Sequence, residues 1–378
     1  MKYKKQAAIL SLFYFFHFGT LGIFLPFIPI YLKYSNFNGK EIGLFLAIIP
    51  IIKFFFTNLW VNFFNNLKYK NIFFTAAVIV SNFSVILLIK GGYLFTALCF
   101  IIYSATRVGV LPVVDHIVNE FSRTSNIEYG RLRLSGSVGF IFFTALSGWL
   151  VDNVSLNSLL LFHMLAGALA AISGKFINFH TTIQFRKKFA KIKLSSNFKI
   201  VIFVCILHNI SMIGFYNFFN IKISTLGSGQ TLAGIIWSIG IVAEIFLMFY
   251  SRSLFKVFNP VNMLIFSIFT GGLRSIVIGV SGSSALLLSI NVLHGFAFGT
   301  FHLSILRYIR EYLEDETRLK AQSIYSAYTY GFATISGSII SGYLYDKFGV
   351  NNMFISLSFF NFAAIATLLL YRNKFLIK

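Results

Sequence analysis

Twelve apolar runs, each long enough to cross a lipid bilayer, leave this chain almost nothing from which to build a water-soluble domain. A membrane span needs about 20 apolar residues. Runs of that kind fall at about 6–32, 41–64, 71–89, 93–119, 131–151, 157–175, 199–222, 230–250, 260–279, 284–310, 318–345 and 351–371. Only 11% of the 378 residues are charged, against roughly 25% in soluble domains, which excludes a soluble enzyme. Cys99 and Cys205 both lie inside apolar runs and frame neither a disulfide scaffold nor a zinc site.

The formal charge of +21 could suggest nucleic acid, so its placement decides the matter. With the N-terminus set inside, 24 of the 32 Lys and Arg residues fall in inner segments. Five fall outside (Lys33, Lys40, Lys90, Lys222, Lys347), and three lie within spans. That asymmetry is the positive-inside pattern with both termini cytoplasmic, so the basic charge is topology and not a nucleic-acid footprint. The opening Met-Lys-Tyr-Lys-Lys runs straight into a long apolar stretch without a short core and cleavage site, and reads as an uncleaved first span. A bacterial inner membrane is the expected location.

The longest break, 176–198, is basic (Arg186, Lys187, Lys188, Lys191, Lys193) and sits near the chain midpoint. It divides the chain into a six-span bundle over 1–175, a cytoplasmic linker over 176–198 and a second six-span bundle over 199–378. Internal repetition agrees with that division. A shift of 191 places His17 on His208, Lys53 on Glu244, and Val118-Asn119-Glu120-Phe121 on Ile309-Arg310-Glu311-Tyr312. A shift of 194 places Ser147-Gly148-Trp149-Leu150-Val151-Asp152 on Ser341-Gly342-Tyr343-Leu344-Tyr345-Asp346. The fold class expected is therefore an all-helical membrane protein of twelve transmembrane helices in two pseudo-symmetric bundles, with a site between them at mid-depth. Small-residue stretches at Gly136-Ser137-Val138-Gly139 and Ser336-Gly337-Ser338 suit close helix approach. Pro26 and Pro29 would loosen span one where it borders a cavity.

Ionisable groups inside spans cost roughly 2.5–3.5 kcal/mol each on insertion scales, so each demands a reason. Lys53, Arg107, Glu244 and Arg274 lie mid-span, and Asp115 lies near the inner end of span four. Together they carry one surplus positive charge, which suggests mutual pairing. Glu244, held between desolvation and nearby cations, is a candidate proton carrier. Asp115 is a second candidate, with a structural clamp to Arg131 or Arg133 as its competing reading. His17, His208, His294 and His302 are further polar residues in spans one, seven and ten. Asn291, His294, Phe298 and His302 advance by three or four, so a regular helix would carry them on one slowly drifting stripe. His294 and His302 would then stand about 12 Å apart, too far to share a metal ion, and no metal or cofactor motif is present. Lys53, Arg107, His17, His208, Asn291 and His302 are the candidate substrate contacts.

Several of these segments resemble the phenylpropionate permease-like members of the major facilitator superfamily. They are Tyr129-Gly130-Arg131-Leu132-Arg133-Leu134-Ser135-Gly136-Ser137-Val138-Gly139-Phe140, Trp237-Ser238-Ile239-Gly240-Ile241-Val242-Ala243-Glu244, Leu293-His294-Gly295 with Leu306-Arg307-Tyr308-Ile309, Ala321-Gln322-Ser323-Ile324-Tyr325-Ser326-Ala327, and Gly22-Ile23-Phe24-Leu25-Pro26-Phe27. The resemblance spans nearly the whole chain. It implies kinship with proton symporters of the lactose permease type, in which an acidic residue of helix eight, an arginine of helix nine and a histidine of helix ten act together. Arg274 and His294 match the arginine and histidine, and Glu244 lies in the helix eight region. A second glutamate of that type, three residues after the histidine, is Ala297 here. The resemblance thus points to Glu244, Arg274 and His294 for proton coupling, and Asp115 joins them as an acidic residue within a span.

The function expected is secondary active transport of a small organic solute by alternating access, coupled to protons. An aromatic or other organic acid is the preferred cargo because of the surplus cation and abundant aromatics. Sugar or nucleoside symport and drug or metabolite efflux are the alternatives. A membrane-embedded transferase is the remote one: its only candidate, the adjacent Asp115-His116, points about 100° apart on a helix. No phosphate-binding loop is present, so the chain is not an ATP-driven pump. The expected partners are the solute, protons and membrane lipid, with no nucleic acid, and the protein is expected to act as a monomer.

Overall fold

The computed structural model describes residues 2–179 and 195–371; most of the basic 176–198 segment lies outside them. Helix accounts for nearly all of the described chain: with no water to satisfy backbone groups in hydrocarbon, each span closes its hydrogen bonds internally. Eleven helices are long and apolar enough to span a membrane, and the last, Asp315–Leu370, is interrupted at Gly349. Gly349 adopts φ 75°, a left-handed conformation that suits glycine, and splits this helix into two. The described residues therefore form twelve spans, and the chain is a multi-pass membrane protein.

We number the helices α1 (Lys2–Tyr34), α2 (Gly39–Asn65), α3 (Lys70–Lys90), α4 (Gly92–Ser125), α5 (Tyr129–Asn153), α6 (Ser158–Lys175), α7 (Ser196–Thr225), α8 (Gln230–Val257), α9 (Pro260–Val280), α10 (Ser284–Tyr312), α11 (315–348) and α12 (350–370). The described residues gather into two compact units. One takes those of 1–35, 51–186 and 229–234, the other those of 36–50, 187–228 and 235–378.

In the first unit, Leu10, Phe13 and Tyr14 of α1 pack with Phe64 of α2, Phe74 and Val78 of α3 and Val113 of α4. The α1–α5 contact is close because Gly139 presses on backbone: a Cβ there would sit 2.0 Å from the Phe15 carbonyl oxygen. Thr144 Oγ1 adds a 2.8 Å hydrogen bond to the Gly22 carbonyl. In the second unit, Val204 and Cys205 of α7 meet Leu264 of α9, Ile305 of α10, Tyr325 of α11 and Ala364 of α12. Large apolar side chains such as Leu161, Phe249 and Phe359 point outward, as expected where lipid replaces water.

Two helices depart from regularity. α4 is broken at Val108–Gly109, because Pro112 has no N–H to give the Val108 carbonyl and its ring crowds that group. α10 loosens at Asn291–Val292 and then widens into a π-helical turn over Gly295–Thr300, so it cannot keep the even stripe that regular spacing predicts. His294 and Phe298 still stack, with centroids 5.9 Å apart. His302, beyond the π turn, reaches α11 instead.

Candidate functional site

Each unit holds a mid-span guanidinium among neutral oxygens, half-buried in the first and buried in the second. In the first, Arg107 ends the upper part of α4. Its Nη1 donates to Asn82 Oδ1 of α3 at 3.3 Å and its Nη2 to the His17 carbonyl of α1 at 3.0 Å. Nη2 also lies 3.3 Å from His17 Nε2. A guanidinium only donates, so Nε2 accepts there and the His17 proton rests on Nδ1, which is buried without a partner among the described residues. The Tyr103 ring lies 5.3 Å from the Arg107 guanidinium and stacks on Phe24 at 4.2 Å. Asn82 has room because α6 carries Gly167 opposite it: a Cβ there would lie 2.2 Å from Asn82 Cβ.

In the second unit, Arg274 of α9 is 2% exposed. Its Nε and Nη2 donate to Asn291 Oδ1 at 3.1 and 2.9 Å. One face of the guanidinium lies 3.7 Å from the Phe215 ring centroid, and Met212 Sδ stands 4.0 Å from Nη1. Asn291 is fixed from the other side, donating from Nδ2 to the Ile236 carbonyl of α8 at 2.5 Å. His294, one turn on, is enclosed by Phe215, Tyr216 and Phe298, and its Nδ1 is buried without a partner among the described residues. Trp237 closes this aromatic wall against Phe215 and Tyr216 and donates to Asn220 Oδ1 at 2.8 Å.

Mutual pairing is what the sequence suggests for the mid-span ions, but the structure meets both guanidiniums with neutral oxygens. Among the described residues, neither Arg107 nor Arg274 has a carboxylate partner. Lys53 is exposed midway along α2. Glu244 is half-buried on α8 against Gly299 of α10, where a Cβ would stand 3.4 Å from Glu244 Cγ. It lies within electrostatic reach of the Tyr216 and Tyr330 hydroxyls. Asp115, on the lower part of α4, accepts from Tyr14 Oη at 2.6 Å and Tyr129 Oη at 3.2 Å. The hydrogen bonds to Asp115 thus come from two tyrosines, while Arg133, whose guanidinium stacks 3.7 Å over Phe18, is near enough to act on it electrostatically.

The other two candidate histidines, His208 and His302, lie in the second unit. His208 Nε2 lies 3.0 Å from the Ala297 carbonyl within the π turn, and Nδ1 lies 2.7 Å from Asn361 Oδ1. Both ring nitrogens are thus engaged, one by the Ala297 carbonyl and the other by the Asn361 side-chain amide. His302 Nδ1 meets Tyr325 Oη and Tyr330 Oη, each at 3.0 Å. Sequence reasoning misses Asn82, Tyr14, Tyr129 and Asn361. Only a neutral amide inside an otherwise apolar run, as at Asn82 and Asn361, gives a readable signal.

Twelve helices with buried polar clusters at mid-span define a membrane transporter of the major facilitator fold. The chain belongs to the MFS_1 like family, which matches residues 7–356. It is 26% identical over 351 residues to the "Probable 3-phenylpropionic acid transporter" of Escherichia coli (strain K12), covering 90% of this chain and 91% of that one. It is 22% identical over 375 residues to the maltose permease of Geobacillus stearothermophilus, covering 98% and 95%. The solved structure of the nucleoside transporter NupG matches with a TM-score of 0.83 at 16% identity, covering 99% of this chain and all of that one. The protein is a secondary transporter of small solutes.

Proposed function

We propose that the protein is a proton-coupled symporter of a small organic anion, with an aromatic carboxylate as cargo. The observation that carries this reading is the pair of guanidiniums, Arg107 and Arg274, that meet only neutral oxygens among the described residues. A buried charge without a counter-charge costs several kcal/mol, and a carboxylate arriving with the cargo offsets that cost. Arg107 and Lys53 keep part of their surface open, so they meet the anion first. Arg274 is covered by Phe215 and is reached only when that ring moves. The aromatic wall of Phe215, Tyr216, Trp237 and Phe298 suits a phenyl body, in line with the phenylpropionate named for the Escherichia coli relative.

Glu244 carries the coupling proton in this reading, with Asp115 and His294 as the other titratable groups within spans. The bundles 1–175 and 199–378 rock as a monomer about the linker 176–198. Both termini lie on the cytoplasmic face of the inner membrane, as the distribution of Lys and Arg requires.

Uptake into proteoliposomes tests the reading. Acid outside should drive accumulation of 3-phenylpropionate, and Lys53→Met with Arg107→Met should abolish its binding. Glu244→Gln should keep exchange between equal pools, which moves no net proton, and lose accumulation driven by the pH gradient. Unchanged pH-driven uptake in well-expressed Glu244→Gln would move the proton to Asp115 or His294. Transport of maltose or uridine in place of the acid would overturn the anion reading.

A further inference from the structure

Away from the buried clusters, the second unit holds a cavity of about 520 Å³ where α8 and α10 end and α11 begins. That size falls within the range of about 300–1,000 Å³ typical of small-molecule pockets. Three arginines line it, Arg307 and Arg310 from α10 and Arg318 from α11, together with Gln322 and Ser251, and among the described residues no carboxylate does. Apolar side chains complete the lining: Phe255 of α8 with Leu303 and Leu306 of α10.

The arginines are held in place with donors to spare. Arg307 gives Nε to Glu311 Oε1 at 2.5 Å, and its guanidinium stands 4.9 Å from the Phe255 ring centroid. Arg318 pairs with Asp315 and gives Nε to the Leu313 carbonyl at 3.0 Å. Arg310 is exposed and has no hydrogen-bond or ion-pair partner among the described residues. Since each guanidinium has five N–H donors, most of those around this cavity are uncommitted. Two anchored forks and one open fork form a receptor for phosphate oxygens, which guanidiniums bind in pairs.

The apolar wall says which phosphate. A free inorganic anion gains nothing from Phe255, Leu303 and Leu306, whereas a phospholipid lays its glycerol and first methylenes against such a surface. The cavity also lies at the ends of membrane spans, the depth at which headgroups sit. We propose that it binds the headgroup of an anionic membrane phospholipid such as phosphatidylglycerol, phosphate in the arginine cluster and glycerol on the apolar wall. The side of the membrane concerned rests on the orientation proposed above, which puts the α10–α11 connection inside, where basic pockets between helices recruit acidic lipids.

The test uses the full chain purified in detergent, with thermal unfolding and native mass spectrometry as readouts. Phosphatidylglycerol should raise the unfolding midpoint and remain bound in the gas phase, while phosphatidylcholine and inorganic phosphate should do neither. Arg310→Gln combined with Arg318→Gln removes two charges near the surface and should weaken phosphatidylglycerol binding roughly 30-fold. Arg310→Gln alone, at an exposed position, guards against misfolding and should give an intermediate loss. Arg123→Gln in the first unit should change nothing. Undiminished lipid retention in the double variant, or equal stabilisation by inorganic phosphate, would overturn the proposal. A cysteine at position 310 labelled from outside intact cells would instead refute the orientation, so the two failures are separable.

Discussion

Arg274 donates from Nε and Nη2 to one acceptor, Asn291 Oδ1, at 3.1 and 2.9 Å. The amide cannot turn away, because its Nδ2 end is committed to the Ile236 carbonyl at 2.5 Å. A single neutral oxygen thus holds a buried cation in a fixed direction while leaving its charge uncancelled. That is a fitting state for a group awaiting an anion, and it places heavy demands on Asn291.

Replacing Asn291 with Leu should leave the guanidinium without its acceptor. Hydrogen bonds to charged groups contribute about 1.5–3 kcal/mol each, so a loss of about 3 kcal/mol in stability is expected, visible as a lower unfolding midpoint. Asn291→Asp supplies Arg274 with a carboxylate but turns an acceptor toward the Ile236 carbonyl in place of the Nδ2 donor, so it should be less stable than wild type, and it should bind an anionic cargo poorly by cancelling the charge. Equal anion binding in Asn291→Asp and wild type would show that Arg274 takes no part in cargo recognition.

Gly109 marks the break in α4, and a Cβ there would sit 1.9 Å from the Trp60 ring of α2. Gly109→Ala should therefore destabilise by about 1–3 kcal/mol through overpacking. Trimming the obstacle with Trp60→Leu should recover part of the loss, giving a coupling energy of at least about 0.5 kcal/mol in a double-mutant cycle. Additive effects would mean that the helices separate easily at this point.

Much of this architecture is legible in the sequence, for physical reasons. Apolar runs of span length announce helices because hydrocarbon permits little else, and Arg107 and Arg274 stand out because a cation inside such a run is expensive. What answers those cations is not legible. Asn82 and Asn291 are neutral residues that obey no charge-balance rule, and they reach their arginines only through the packing of α3 on α4 and of α9 on α10. The π turn at Gly295–Thr300 carries no proline to announce it, so even spacing wrongly keeps Asn291, His294, Phe298 and His302 on one stripe. Tyr14 and Tyr129 at Asp115 escape notice in a chain with 18 tyrosines.

Orientation can be read directly. Asn36 and Ser195 are both exposed positions at opposite ends of spans. A cysteine at position 36 should react with an impermeant maleimide added to intact cells, and one at position 195 should react only after lysis. Efficient labelling of position 195 from outside would invert the topology.

The last prediction concerns Asp152 and Asp346, equivalent residues of the two sequence repeats. Asp346 accepts from the backbone N–H groups of Gly39 at 2.6 Å and Lys40 at 2.8 Å, at the start of α2. Asp152 does the same for Gln230 at 2.8 Å and Thr231 at 2.7 Å, at the start of α8, with Thr231 Oγ1 adding a bond of 2.6 Å. Each carboxylate satisfies helix N–H groups that have no partner within the helix and sits at the positive end of its dipole. Replacing either with Ala should cost about 0.5–2 kcal/mol, the range for losing a cap. Asn, which keeps an acceptor but not the charge, should fall between Asp and Ala. The approach is close because the adjoining residues are glycines: a Cβ at Gly229 would meet Asp152 Oδ2 at 2.4 Å, and one at Gly39 would meet Asp346 Oδ1 at 2.8 Å. Gly229→Ala should therefore reproduce the melting loss of Asp152→Ala, and adding it to Asp152→Ala should cost little more. A full additional loss in the double variant would mean that Gly229 matters for its backbone conformation and not for the room it leaves the carboxylate.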